Sequence, residues 1–334
     1  MRGNQLARYG SIATPMPKTM GKVFFVVNGN DTTGIISDML ADFPVDKDGV
    51  PRVYVTGTTA NTAHLGIQAA CDAMVANRND YVVVLPSTND YDLGATITLD
   101  KARSHFICQA GMEEQGGMTA NYVRIHMNLA ATDSVTISSD NVEVAGFFFK
   151  HDATSTSGGS ITLSGTRWCS NIHHNFFAMY ATASTSNYGI YGAGACNHYS
   201  IHDNYFTNYS PGLNTGTNND IASFIGLTSG SSTRGIIRNN ILVTGVNTTV
   251  ASAISNAGTG TIIMDNVIIQ SVANGGNDAG VLTLGVTSGV DSVCIRNAVS
   301  IDHASIANAF SGQTANQGLI ENFEPQAGGT LIAS

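Results

Sequence analysis

A short pattern, apolar-x-x-Asn-x-apolar, returns six times in the second half of this chain. It reads Ile172-His-His-Asn175-Phe-Phe177, Ile201-His-Asp-Asn204-Tyr-Phe206, Ile237-Arg-Asn-Asn240-Ile-Leu242, Ile263-Met-Asp-Asn266-Val-Ile268, Cys294-Ile-Arg-Asn297-Ala-Val299 and, fading, Leu319-Ile-Glu-Asn322-Phe323. The steps between the Asn residues are 29, 36, 26, 31 and 25 residues. That variation is too wide for a helical solenoid with a fixed repeat, and it suits a coil whose turns carry loops of different length. A second β-rich stretch precedes each of the first five Asn residues: Ile161-Thr-Leu163, Gly189-Ile-Tyr191, Ser223-Phe-Ile225, Ala253-Ile254 and Val281-Leu-Thr-Leu284. Two or three short strands per turn, rich in Val, Ile, Phe and Thr and separated by Gly, Ser, Asn and Thr, predict an all-β chain folded as a parallel β-helix.

Stacked turns place equivalent residues about 4.8 Å apart. An Asn repeated at one corner can then donate to and accept from the amides above and below, so Asn175, Asn204, Asn240, Asn266, Asn297 and Asn322 are expected to form a structural ladder. Upstream, Val123-Arg-Ile125, Val135-Thr-Ile137 and Val142-Glu-Val-Ala-Gly-Phe-Phe-Phe149 supply further coils, with Gly146 read at the place where Asn stands later.

The start of the chain differs. Residues 1 to 22 contain Arg2, Arg8, Lys18 and Lys22 and no acid, so a net charge of -9 leaves the remainder at -9 - 4 = -13. A basic, Pro-containing arm on an acidic body predicts a segment that docks on another surface. Residues 23 to 80 read as a cap: a strand Lys22 to Val27, a helical spacing over Ile35 to Phe43, a turn at Val45-Asp-Lys-Asp-Gly49 and a strand at Arg52 to Val55. Asp46-x-Asp48-Gly resembles part of a calcium loop but lacks the other ligands. Thr59 to Asn77 carries Ala63, Ile67, Ala70 and Met74 on one stripe, the mark of an amphipathic helix. Residues 81 to 334 are then the β-helix with its C-terminal cap, and the apolar tail Gly328 to Ser334 is expected to help cover the last coil, whose bare end exposes unpaired backbone.

The order strand, short insert, amphipathic helix, "D-x-V-x-V-x-P" strand (Asp80 to Pro86), "Y-x-L" strand (Tyr91 to Leu93) and then coils is similar to the N-terminal cap and first turns of the right-handed parallel β-helix, pectin-lyase-like superfamily. That superfamily includes many phage tailspike and virion proteins. The resemblance covers roughly residues 22 to 322 and implies a capping helix that plugs the open end of the apolar column. It specifies architecture rather than activity.

The best polar constellation is His173 and His174 over His202 and Asp203, with His198 nearby and His151-Asp152 one turn earlier. In register, the imidazoles fall within about 5 Å, close enough to share a metal ion or hold an acidic sugar. Arg238, Met264 and Ile295 continue the first His column, as in an ordinary ladder of stacked like residues. No cofactor or metal is expected. A glycosidase needs two carboxylates about 5 Å or 6.5–9.5 Å apart. The chain has five glutamates, Glu113, Glu114, Glu143, Glu321 and Glu324, and Asp203 and Asp265 sit two coils, about 9.6 Å, apart. Asn171 to Asn175 is similar to the strand motif of the pectate lyases, but His174 stands where an acid is expected and no R-x-P-x-x-R follows. The G-H-G and R-x-K signatures of the polygalacturonases are missing as well. Tyr188, Tyr191, Tyr199, Tyr205 and Phe206 are read mainly as core, with a sugar platform as the alternative.

Composition closes the reading. Only 12% of residues are charged, about half the usual share, so the surface is clad in Thr, Ser, Asn and Gly. Cys71, Cys108, Cys169, Cys196 and Cys294 form no CxxC pair; free thiols are expected, with Cys169 and Cys196 stacked inside one coil apart. No 18-residue apolar window occurs and Met1-Arg-Gly-Asn-Gln lacks a signal-peptide core, so neither membrane insertion nor export is expected. Eleven scattered basic residues in an acidic body argue against nucleic acid as a partner. Taken with the docking arm, the missing catalytic signatures and the resemblance to phage β-helix proteins, which alone implies a virus, these features lead to the expectation of a non-enzymatic virion structural protein: a decoration, fibre or spike, homotrimeric, assembled in the host cytoplasm and docked on capsid or other virion proteins through its arm. The alternatives are a tailspike-type depolymerase or an adhesin for a host surface glycan.

Overall fold

The computed structural model describes residues 21–31, 33–108, 123–127, 129, 132–151, 158–179, 187–192, 194–207, 221–244, 253–270, 286–287, 291–300, 310–311, 318–320, 322–324 and 330–332. Among them the backbone winds through three long sheets, and the chain is a right-handed parallel β-helix. One turn illustrates the path: Gly158–Leu163 lies in the third sheet, Asn171–His173 in the first and Phe176–Met179 in the second. The first sheet has 11 strands, the second 10 and the third 8. All pair in parallel except the last, Thr330–Ile332, which folds back antiparallel on Asn322–Glu324. The tail thus supplies one closing strand to the second sheet.

Register follows from side-chain period. Ile172, Ile201, Ile237, Ile263 and Cys294 stack in one inward column, each at most 1% exposed. Phe149, Phe177, Phe206, Leu242 and Ile268 form a second column, with ring centroids of the first three 5.2 and 4.5 Å apart. Each fully buried apolar side chain contributes about 1.5–3 kcal/mol, so the columns are the main source of stability. Because slipping one residue would turn every column outward, they also fix the register.

The N-terminal cap joins this core rather than standing apart. Val23–Val27 and Val53–Val55 extend the first sheet as parallel strands. The helix Ala63–Ala73 sends Ala63, Ile67, Ala70 and Cys71 into the end of the apolar column, with Met74 just beyond it. It is shorter than the Thr59 to Asn77 spacing suggests. A second helix, Thr33–Asp42, buries only Met39, against a smaller cluster with Val27, Val53 and Val83. The Asp46 segment is a turn: Asp46 Oδ1 accepts from the Asp48 and Val50 N–H groups at 2.8 and 3.0 Å, and Gly49 has φ +76°.

The corners carry the Asn residues. Asn240 Nδ2 donates to Asn266 Oδ1 and to the Ile201 carbonyl, both at 3.0 Å. Its own Oδ1 accepts from the Asn204 backbone N–H and Nδ2 at 3.1 and 3.0 Å. Asn204 and Asn266 repeat this four-bond pattern, and Asn175 and Asn297 continue the ladder at either end, all buried. Asn322 begins a second-sheet strand paired with the tail.

Two expectations are corrected by register. Val144 faces Ile172 and Phe148 faces Phe176, so Phe147, not Gly146, occupies the Asn position. Phe147 donates its N–H to Asn175 Oδ1 at 3.0 Å and starts the ladder without belonging to it. Gly146 precedes it, at φ +87°. Cys169 does not stack with Cys196 inside the coil. Arg167 pairs with Cys196, which places Cys169 opposite His198 on an exposed corner at φ +57°. Cys71, Cys108, Cys196 and Cys294 are buried free thiols. Val281 to Leu284 lies outside the described residues.

Candidate functional site

The outward side chains of the first sheet form two columns. One runs Tyr81, His105, Glu143, Asn171, Ser200, Ile236, Ile262, Val293; the other runs Ala145, His173, His202, Arg238, Met264, Ile295. Their chemistry changes along the axis, from aromatic and titratable in the earlier coils to apolar in the later ones.

The polar part is one connected chain. Tyr81 stacks on His105 with centroids 4.0 Å apart. Glu143 lies between two imidazoles: His105 Nδ1 bonds Oε2, and His173 Nε2 bonds Oε1 at 2.7 Å. His105 Nε2 bonds Asn79 Oδ1 at 2.9 Å. His173 Nδ1 meets His174 Nδ1 at 2.7 Å, and the His173 ring stacks on His202 at 4.8 Å, one coil spacing. His202 Nε2 bonds Asn171 Oδ1 at 3.1 Å, and its Nδ1 faces Asp203 Oδ2 at 2.7 Å.

The electrostatics follow from these contacts. Burial pushes the Glu143 carboxyl up, but the hydrogen bonds and charge of His105 and His173 outweigh it and hold the group at about 2. Asp203 is likewise below the ordinary carboxylate value: burial raises it, while bonds from His202 and Asn239 prevail. His174 and His202 are held below the usual imidazole value, first by burial and, for His174, next by the charge of His173. Both carboxylates are therefore ionised at neutral pH.

Local backbone explains why His174 and Asp203 point outward beside each other. The residue before each ladder Asn adopts the left-handed conformation: His174 and Asp203 at φ +55°, Asn239 at +54°, Asp265 at +55° and Arg296 at +49°. Asp, Asn, His and Gly are the residues that tolerate this region best. The corner thus places a short polar side chain at the same outer edge in successive coils. Asp265 and Arg296 use it for a two-bond ion pair, both contacts 2.8 Å.

The four residues His173, His174, His202 and Asp203 are thus brought together as the sequence predicts, and His105, Glu143 and Asn171 join them. Two others are not there. His151 is buried at the end of a second-sheet strand with Nε2 on the Thr132 carbonyl at 3.3 Å, and Asp152 lies outside the described residues. His198 stacks on Trp168 at 5.5 Å, on another corner. Tyr199 and Phe206 are core, whereas Phe148, Phe176 and Tyr205 stack outward on the second sheet at 4.8 and 4.9 Å, and Tyr188 stacks on Tyr191 at 4.5 Å. Of the basic arm, Arg2, Arg8 and Lys18 lie outside the described residues. Lys22 belongs to the cap, ion-paired with Asp46 and with Asp48 at 3.1 Å.

A second polar convergence lies where cap meets coil. His126 Nδ1 bonds Asp92 Oδ1 at 2.6 Å, Arg124 pairs with Asp90 at 2.5 Å, and both acids line a small pocket with Asn28, Asn30 and Thr59. The Arg124 charge already offsets Asp90 there.

Comparison of the chain with protein-family models, with curated proteins and with solved structures finds no match. No helix among the described residues is long and apolar enough to cross a membrane.

Proposed function

We propose that this chain is a non-enzymatic structural protein of a phage-like virion, a decoration, fibre or spike, which assembles with copies of itself as a homotrimer. The observation that carries the reading is an exposed apolar strip on consecutive coils. Ile236 and Ile262 on the first sheet and Ile241, Val267 and Ile269 on the second are 36–41% exposed, on either side of the Asn corner. Contiguous apolar surface of this kind marks an association site. Ladders of β-branched residues on one flank of a rod suit a like rod, and a rotational arrangement closes the set.

The ionisation of the polar columns supports the non-enzymatic part. Glycoside cleavage needs a protonated acid beside a carboxylate, and both Glu143 and Asp203 are held ionised by their neighbours. The resemblance to phage β-helix proteins supports the virion assignment by analogy. A glycan-binding role draws on the outward aromatic stacks Phe148–Phe176–Tyr205 and Tyr188–Tyr191, whose ring edges and the Tyr hydroxyls line up along the coils.

The test is the oligomer mass. Wild type is expected as a trimer, and Ile236→Asp combined with Ile262→Asp as a folded monomer. A monomeric wild type, or a variant that assembles normally, contradicts the proposal. Release of oligosaccharides from host capsule or lipopolysaccharide that vanishes in Asp203→Ala would select the depolymerase instead.

A further inference from the structure

Proton accounting along the polar chain starts at Glu143. Its carboxylate only accepts, so His105 Nδ1 and His173 Nε2 each carry a proton toward it. The 2.7 Å contact between His173 Nδ1 and His174 Nδ1 holds one proton between the two rings. On the next coil, His202 Nε2 donates to Asn171 Oδ1. Its Nδ1 then faces Asp203 Oδ2 at 2.7 Å, two acceptors that require either a second proton or a cation. One ring nitrogen of His174, one of His202 and an Asp203 oxygen all lie within 4.8 Å of one another.

From this geometry we infer that His174, His202 and Asp203 bind one divalent transition metal ion of the zinc class, riveting two consecutive coils on the outer face of the first sheet. Two imidazoles and a carboxylate are a donor set for zinc, with metal–ligand bonds of about 2.0–2.2 Å. A tetrahedral site with such bonds has ligand–ligand edges of about 3.3 Å. The Asp203–His202 edge, at 2.7 Å, is already shorter than this, and the remaining edges, within 4.8 Å, close by up to about 1.5 Å through side-chain torsions. Exposure of His174 leaves a fourth position to water or to a ligand oxygen. Glu143 takes the part of an outer carboxylate, orienting the His173 ring that in turn bonds His174, as carboxylate–histidine pairs do behind metal ligands. The sequence already places these three residues together, His174 on one coil and His202 with Asp203 on the next.

The experiment is titration of the full-length protein with Co2+ and Zn2+, with nitrogen-bound Co2+ read by its visible absorption. One ion per chain is expected, displaced by Zn2+. His174→Ala or Asp203→Asn should weaken binding at least about 100-fold, and Glu143→Gln about 10- to 100-fold, while His198→Ala leaves it unchanged. Asp92→Asn separates the site from the second convergence near His126. A readout without variants is the imidazole NMR spectrum: Zn2+ should shift the His174 and His202 signals and leave His198 in place. Absence of stoichiometric binding at 100 μM metal (a concentration on the order of weak sites), binding retained in both ligand variants, or a shift confined to other histidines would each overturn the inference.

Discussion

Replacing Asn240 by Leu removes the middle rung of the corner ladder while nearly preserving volume. Three buried groups lose their partners: the Asn204 backbone N–H, one Asn204 Nδ2 hydrogen and the Ile201 carbonyl. Asn266 Oδ1 keeps the backbone N–H of residue 240 and is left half-satisfied. A buried polar group without a partner costs about 1–3 kcal/mol, so the loss sums to roughly 3–9 kcal/mol. The entropy of unfolding scales with length, about 2.1 cal/mol/K per residue, so over 334 residues this is a drop of roughly 4–13 °C in melting temperature. Hydrogen exchange should show the damage locally, with faster exchange at residues 201–206 and 237–242 than at the Val135 and Val142 strands, because coils in a stacked array depend mainly on their neighbours. A melting temperature within about 1 °C of wild type, with unchanged exchange at the corner, would refute the claim that each amide in the ladder is fully engaged.

Glu143 is held at about 2 in the folded chain against an ordinary value near 4.5. Its ion pairs therefore stabilise the fold above the unfolded value and lose that contribution as pH falls from about 4.5 to 2. Urea midpoints of wild type should fall more steeply over that window than those of Glu143→Gln, and parallel profiles would reject the linkage. In native protein one thiol per chain, Cys169, should react rapidly with a thiol reagent, and five should react after denaturation; a fast-reacting stoichiometry of zero or above one contradicts the exposed corner. Deleting residues 2 to 21 should leave the circular dichroism intact while abolishing attachment to particles in co-sedimentation, and normal attachment would make the arm dispensable.

The coil architecture was readable because six Asn corners recur with apolar residues at fixed offsets, and inward columns leave no freedom in register. The capping helix was readable for the same reason: Ala63, Ile67, Ala70 and Met74 are all buried. The site was half legible. His173 over His202 follows from the repeat alone, but Glu143 does not, since setting Gly146 at the Asn position shifts that coil by one residue. Under that alignment Glu143 faces Ile172 and points inward; in the structure it faces Asn171 and points outward. One residue of slip moves a side chain to the other face of the strand. The signal that resolves it is the corner conformation. Gly, His, Asp, Asn, Asp and Arg precede the Asn position in successive coils, and Gly146 belongs to that left-handed column. The same oversight hid the exposure of Cys169, which sits in a second left-handed column with Asn141, His198 and Arg234. The apolar strip escaped notice because the repeat names only its inward positions, Ile237 and Leu242, and leaves the outward Ile236 and Ile241 unassigned.

Cryo-electron microscopy of the purified protein tests the central claim, that these coils build a self-assembling structural rod. The account predicts a threefold particle of about 105 kDa, three chains of 34.9 kDa, with Ile236, Ile241, Ile262 and Val267 of each copy against the other copies. Single rods of 34.9 kDa with that strip facing solvent would contradict it.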